Sequence, residues 1–312
     1  MPKTFSVLSL VLFVVSAAAI VRAQTPAISV PVWIENSHCA TAPKFKSTLN
    51  GKPAPVSAVL SPASDQIILI VLDLTGDLSR VEAAKQAVIA NISKLPPNTW
   101  VGLMHAQDGL HVLADPSPHH QKVIEAIRSL STNGNPELLE TVRSALSLAD
   151  AMIQKAPVRV AVLYLTDGGI YSYREDYTDP VINPSDPNDL SRRFPEALID
   201  EKISRLARHI RSLEAPLFVV HLDYRPDQLN LAYQSGLETL TRATGGEANV
   251  CHSLAEIPEA ISSVFARITT AWSLTLAVPP KAHSHLQVGL SASCGSGDLQ
   301  VSWRTHFQRK EE

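Results

Sequence analysis

Gln66–Asp73 reads QIILIVLD and Arg159–Thr166 reads RVAVLYLT, and these two stretches decide the fold. Both are unbroken apolar runs rich in β-branched residues rather than alternating ones. A strand of that kind is buried on both faces, as in a parallel sheet covered by helices. Residues 217–222 (LFVVHL) form a third such run, and 248–251 a shorter strand. Helical periodicity fills the gaps. It starts at the capping-box pattern Ser79-Arg80-Val81-Glu82 and runs to about residue 94, then returns over 120–130, 137–155 and about 196–213. A further helix ends at Gly245-Gly246, and the last runs from a second capping-box pattern at 253–256 to about 270. Strands alternating with helices predict an α/β fold with a doubly wound, mostly parallel sheet and right-handed crossovers. Between 100–104 and 110–114 lies Asp108-Gly109, a hairpin signal that adds one antiparallel strand at an edge.

Outside this core, from 65 to 270, the pattern changes. Residues 28–34, 45–49 and 56–60 before it, and 272–278, 286–292 and 299–307 after it, are short alternating strand candidates broken by Gly, Pro and Ser. They predict that an N-terminal β segment (24–64) and a C-terminal one (271–312) pack together as a small β subdomain. Ahead of them, Lys3, an apolar run over 7–20 and small residues up to Ala23 read as a secretory signal peptide, 1–23. The run is shorter than the ~18–20 residues a membrane span needs. The expected location is therefore secreted or periplasmic, with no membrane span after cleavage. In an oxidising compartment Cys39, Cys251 and Cys294 allow one disulfide in three pairings; Cys39 with Cys294 is the natural one if the flanks meet. Asn91-Ile92-Ser93 reads as a chance match to a glycosylation acceptor.

The 312 residues are 45% apolar and 18% charged, which excludes a disordered chain. Twenty-seven Lys+Arg against 30 Asp+Glu leave no basic excess, so a nucleic-acid partner held by phosphate neutralisation is excluded. No G-x-S-x-G, P-loop, H-E-x-x-H or C-x-x-C is present. The chain reads as non-catalytic.

Two buried strands end in aspartate, Asp73 and Asp167. In an open α/β sheet, ligands bind at the carboxyl ends of the strands where strand order reverses. Two carboxylates side by side there are unfavourable unless a cation or a proton lies between them. Oxygen donors suit Mg²⁺, Mn²⁺ or Ca²⁺. The segments Asp73-Leu74-Thr75-Gly76-Asp77 and Thr166-Asp167-Gly168 resemble those of a von Willebrand factor type A (VWA) domain. That family carries D-x-S-x-S after its first strand, a threonine in a later loop, and T-D-G after its fourth strand.

The resemblance covers about 65–270 and implies a VWA/Rossmann-like fold, like that of bacterial exported members. It also implies adhesion-type protein binding at the sheet's C-terminal rim and a metal-ion-dependent adhesion site of Asp73, Thr75, Asp77, Asn135 and Asp167. That site is degenerate. Asp77 stands for the second serine, and the loop at 133–137 offers Asn135 where the threonine belongs. As a ligand Asp77 would bring a third carboxylate to the ion; as a first-turn acid it would serve the helix dipole. The segment 174–195 leaves the sheet at the same rim, and Tyr171, Tyr173 and Tyr177 offer partner contacts. Two alternatives stand beside this reading. One is a scaffold whose metal site has decayed and whose contacts use the β subdomain. The other is a hydrolase using Asp or His at the rim.

Overall fold

The structure, a computed structural model, describes residues 26–35, 42–132, 134–173, 195–280, 282–295 and 297–309. The signal-type stretch, Cys39, Tyr177 and nearly all of the 174–195 segment lie outside them. In chain order come β1 (Ala27–Ile34), β2 (Lys44–Leu49), β3 (Lys52–Ala54), β4 (Val56–Leu60), β5 (Gln66–Asp73) and α1 (Leu78–Ile92). Next are β6 (Thr99–His105), β7 (His111–Ser117), α2 (His120–Ser129), α3 (Leu138–Lys155), β8 (Arg159–Thr166), α4 (Pro195–Ile210) and β9 (Leu217–His221). The chain then runs through α5 (Gln228–Thr244), β10 (Ala248–Val250), α6 (Ile257–Thr270), β11 (Trp272–Ala277) and β12 (His285–Cys294). It finishes with β13 (Gly297–Leu299), β14 (Val301–Trp303) and β15 (His306–Gln308).

The central sheet has the order β10-β9-β8-β5-β6-β7. Its neighbours pair in parallel except β7, which lies antiparallel to β6 at the edge. The connection is the five-residue loop 106–110, in which Asp108 and Gly109 take positive φ of 52° and 114°. Along β5 the pleat sends successive residues to opposite faces. Ile68, Ile70 and Leu72 pack with α1, α2 and α6. Leu69 and Val71 pack with α3, α4 and α5. All five are buried, each worth roughly 1.5–3 kcal/mol against exposure, which is why this run lacks alternation.

The flanks do meet. β1 pairs antiparallel with β11 in a sheet ordered β14-β1-β11-β4. β2 pairs with β12 in a second sheet ordered β13-β12-β2-β3. Val30, Val32 and Leu274 of the first face Leu49 and Val288 of the second in a separate core. The last expected strand, 299–307, is split. Arg304 turns inward between β14 and β15 and donates to the carbonyls of Arg211 and Leu213 just past α4. Cys294 is disulfide-bonded and Cys251 is a buried free thiol, which excludes both pairings that use Cys251. Asn91 lies inside α1 and donates to Ala87 O and Ser262 Oγ.

Arg159 helps to fasten the two parts, beside Arg304 and Trp33, whose Nε1 donates to Arg267 O. Arg159 is 5% exposed and donates to Pro62 O and Ser64 O on the way into the central sheet. Its other donor reaches Ala271 O at 2.9 Å on the way out.

Candidate functional site

Asp73 and Asp167 end adjacent strands, with Asp73 level with Thr166. They sit side by side at the carboxyl rim of the sheet, 0% and 2% exposed. Both Asp73 oxygens accept hydrogen bonds. Oδ1 takes the Glu137 amide at 3.0 Å, and Oδ2 takes the Thr166 hydroxyl at 2.9 Å. The Asp167 oxygens take the amides of Thr75 and Gly76, each at 2.7 Å. Burial pushes the Asp73 carboxyl up to about 8, against the pull of its two donors. Burial also raises Asp167, opposed first by the two loop amides and further by Arg225.

The glycines in these loops permit the closure. A Cβ on Gly76 would stand 2.8 Å from Asp167 Oδ2, and one on Gly168 would stand 2.5 Å from Pro136 Cβ. Neither distance is tolerable. The loop after β5, the loop before α3 and the loop after β8 therefore interlock through two buried carboxyl groups.

The remaining expected site residues serve other partners. Asp77 is the N-cap of α1, with Oδ1 accepting the Ser79 amide at 2.8 Å. This corrects the capping box expected at Ser79: the helix starts earlier, and Ser79 is inside its first turn, giving its amide to the Asp77 cap. Thr75 meets Asp167 through its backbone. Asn135 donates to Asp108 Oδ1 at 3.2 Å. Among the described residues no three His, Cys, Asp or Glu side chains converge on a cation-sized point. Each oxygen of Asp73 and Asp167 already accepts one hydrogen bond from the protein, and neither Asp77 nor Asn135 joins them.

Of the three tyrosines, Tyr171 is 59% exposed and donates to Asp227 Oδ1 at 3.3 Å. Tyr173 is a correction. It is buried, its hydroxyl is 2.8 Å from that of Tyr233 and their rings stack edge to face, so it offers a partner nothing. The intervening 3₁₀ turn at Ile170–Ser172 sends the two tyrosines opposite ways.

The rim also holds a charged cluster that the sequence did not announce. Asp223 is clasped by Arg80 Nη1 and Arg225 Nε, each at 3.0 Å. Arg80 also donates to Leu222 O, and Arg225 to Asp167 O. Beneath them His221 is 1% exposed and neutral. Its Nε2 donates to Gly168 O, its Nδ1 accepts the Asp223 amide, and burial pulls it down to about 4. The only advance sign was polar residues directly after a buried strand.

Residues 68–169 match the family described as von Willebrand factor type A domain. A "UPF0353 protein" of Mycolicibacterium paratuberculosis is 27% identical over 138 residues, 41% of this chain; the match spans 39% of that relative's length. The chain is also similar to the solved structure titled "von Willebrand factor type A from Catenulispora acidiphila" (15% identity, 90% of this chain, 76% of that one, TM-score 0.46). A second is the ArnB paralog VWA2 from Sulfolobus acidocaldarius (9% identity, 91% and 76% covered, TM-score 0.46).

Proposed function

Residues 68–169 form a von Willebrand factor type A domain, and from that premise we propose that the chain is an exported, non-catalytic protein-binding module. In this reading it works through the carboxyl rim of its central sheet and without a bound cation. One observation carries the contact face. Leu78 (67% exposed), Tyr171 (59%), Leu254 (47%) and Leu231 (41%) all stand at the start of the helix or turn that follows a central strand. In a parallel sheet those starts share one rim. Exposed apolar side chains collected on one rim mark an interaction surface, and Tyr171, Arg80 and Arg225 are of the types enriched at interfaces.

The cation-free part rests on the two aspartates: each oxygen of Asp73 and Asp167 accepts a hydrogen bond from the chain itself, and no third acidic side chain joins them among the described residues. The hydrolase alternative loses His221 as its base, because both ring nitrogens of that residue are committed to backbone partners. Export rests on the signal-type pattern of residues 1–23.

A photo-crosslinker placed at Leu78 or at Tyr171 in the producing cells tests this reading. Both positions should yield one common adduct that survives EDTA. A crosslinker at exposed Lys94, beyond the far end of α1, should not. Equal adducts from all three positions, or none from the rim, would overturn it.

A further inference from the structure

We propose that the cleft between the ends of α4 and α5 and the strands β12 and β15 binds a small multivalent oxyanion. The cleft holds about 650 Å³, within the roughly 300–1,000 Å³ of ordinary ligand pockets, and it lies where two packed parts of one chain meet. Arg211, Arg242, Arg304, His285 and His306 line it, and among the described residues no Asp or Glu does. In a chain of net charge −3 that is a local reversal of sign.

The groups have different tasks. Arg304 is 3% exposed and its guanidinium is spent on the carbonyls of Arg211, Leu213 and His306. It thereby quenches the negative end of α4, which would otherwise repel an anion. Arg211 is exposed and has no carboxylate partner among the described residues. Arg242 has Glu238 at 3.7 Å, but that pair is 78% and 58% exposed and holds the guanidinium weakly. Two available guanidinium forks lining one cleft suit the paired oxygens of a phosphate or carboxylate.

Calorimetric titration of the whole chain with pyrophosphate and with citrate, against sodium chloride at equal ionic strength, tests the site. Saturable binding with Kd below about 1 mM is expected for at least one of them. It should weaken at least tenfold in R211A/R242A and persist in K94A, which removes an exposed positive charge elsewhere. Response to one probe alone assigns the site to phosphates or to carboxylates. If neither probe binds saturably, or if R211A/R242A with an unchanged melting temperature binds as the parent does, the proposal is wrong.

Discussion

The Gly76 amide stands 2.7 Å from Asp167 Oδ2, although 91 residues separate the two in the chain. With the Thr75 amide on Oδ1, the contact makes Asp167 the cap of the loop that leads into α1. The rim is thus organised from within. Its carboxylates hold loops in place, and the side chains those loops present form the surface.

That relationship makes Gly76→Ala informative. The added Cβ would lie 2.8 Å from Asp167 Oδ2, so the loop must lift and a buried carboxylate oxygen loses its donor. The expected cost is about 1–3 kcal/mol, seen as a fall of several degrees in melting temperature. A melt identical to the parent's would show that the loop does not rest on the carboxylate.

Arg159→Met should loosen the attachment of the flanking β subdomain to the central sheet. The guanidinium serves carbonyls at Pro62, Ser64 and Ala271, and methionine leaves those of Pro62 and Ala271 without a side-chain donor, while Ser64 O keeps the Asn98 amide. A loss of about 3 kcal/mol in denaturant titration is expected, with faster proteolysis near residues 62–64. Parent-like midpoints and digestion would contradict the fastening role.

His221 carries a pH signature. Its folded pKa is depressed by burial to about 4, against 6.5 ordinarily. Its contribution is therefore complete above pH 6.5 and is lost as pH falls toward 4, when the unfolded chain takes the proton first; the full difference is about 3 kcal/mol. Asp73, raised to about 8, acts in the opposite sense, its contribution fading as pH rises from 3.8 toward 8. A bulk stability curve would blend the two. Imidazole nitrogen shifts separate them: His221 should remain the neutral Nε2–H tautomer from pH 8 down to pH 5. A titration midpoint near 6.5 would refute its buried, doubly bonded state.

Much of this was readable in the chain. QIILIVLD and RVAVLYLT announced strands covered on both faces, and Asp108-Gly109 announced the edge hairpin, because burial and turn conformation act on neighbouring residues. The adjacency of Asp73 and Asp167 followed from strand order. What those carboxylates bind did not follow, since it depends on where loops 60 to 90 residues away place their amides. Asp77 showed the limit at close range: its side chain suits a cation and a helix cap equally, and the nearest amide took it. Tyr173 was misjudged because a single 3₁₀ turn has no periodicity to reveal which face it buries. The Arg80–Asp223–Arg225 cluster joins a helix start to a strand end with nothing in the local sequence to connect them.

The most direct test of the cation-free, carboxylate-braced rim is a set of melts with Mg²⁺, Mn²⁺, Ca²⁺ or EDTA, for the parent and for Asp167→Asn. The parent should melt at one temperature in all four conditions, and Asp167→Asn should melt several degrees lower in each. A parent melting temperature that rises with a cation, with the rise abolished in Asp167→Asn, would contradict the account and make the rim a metal site.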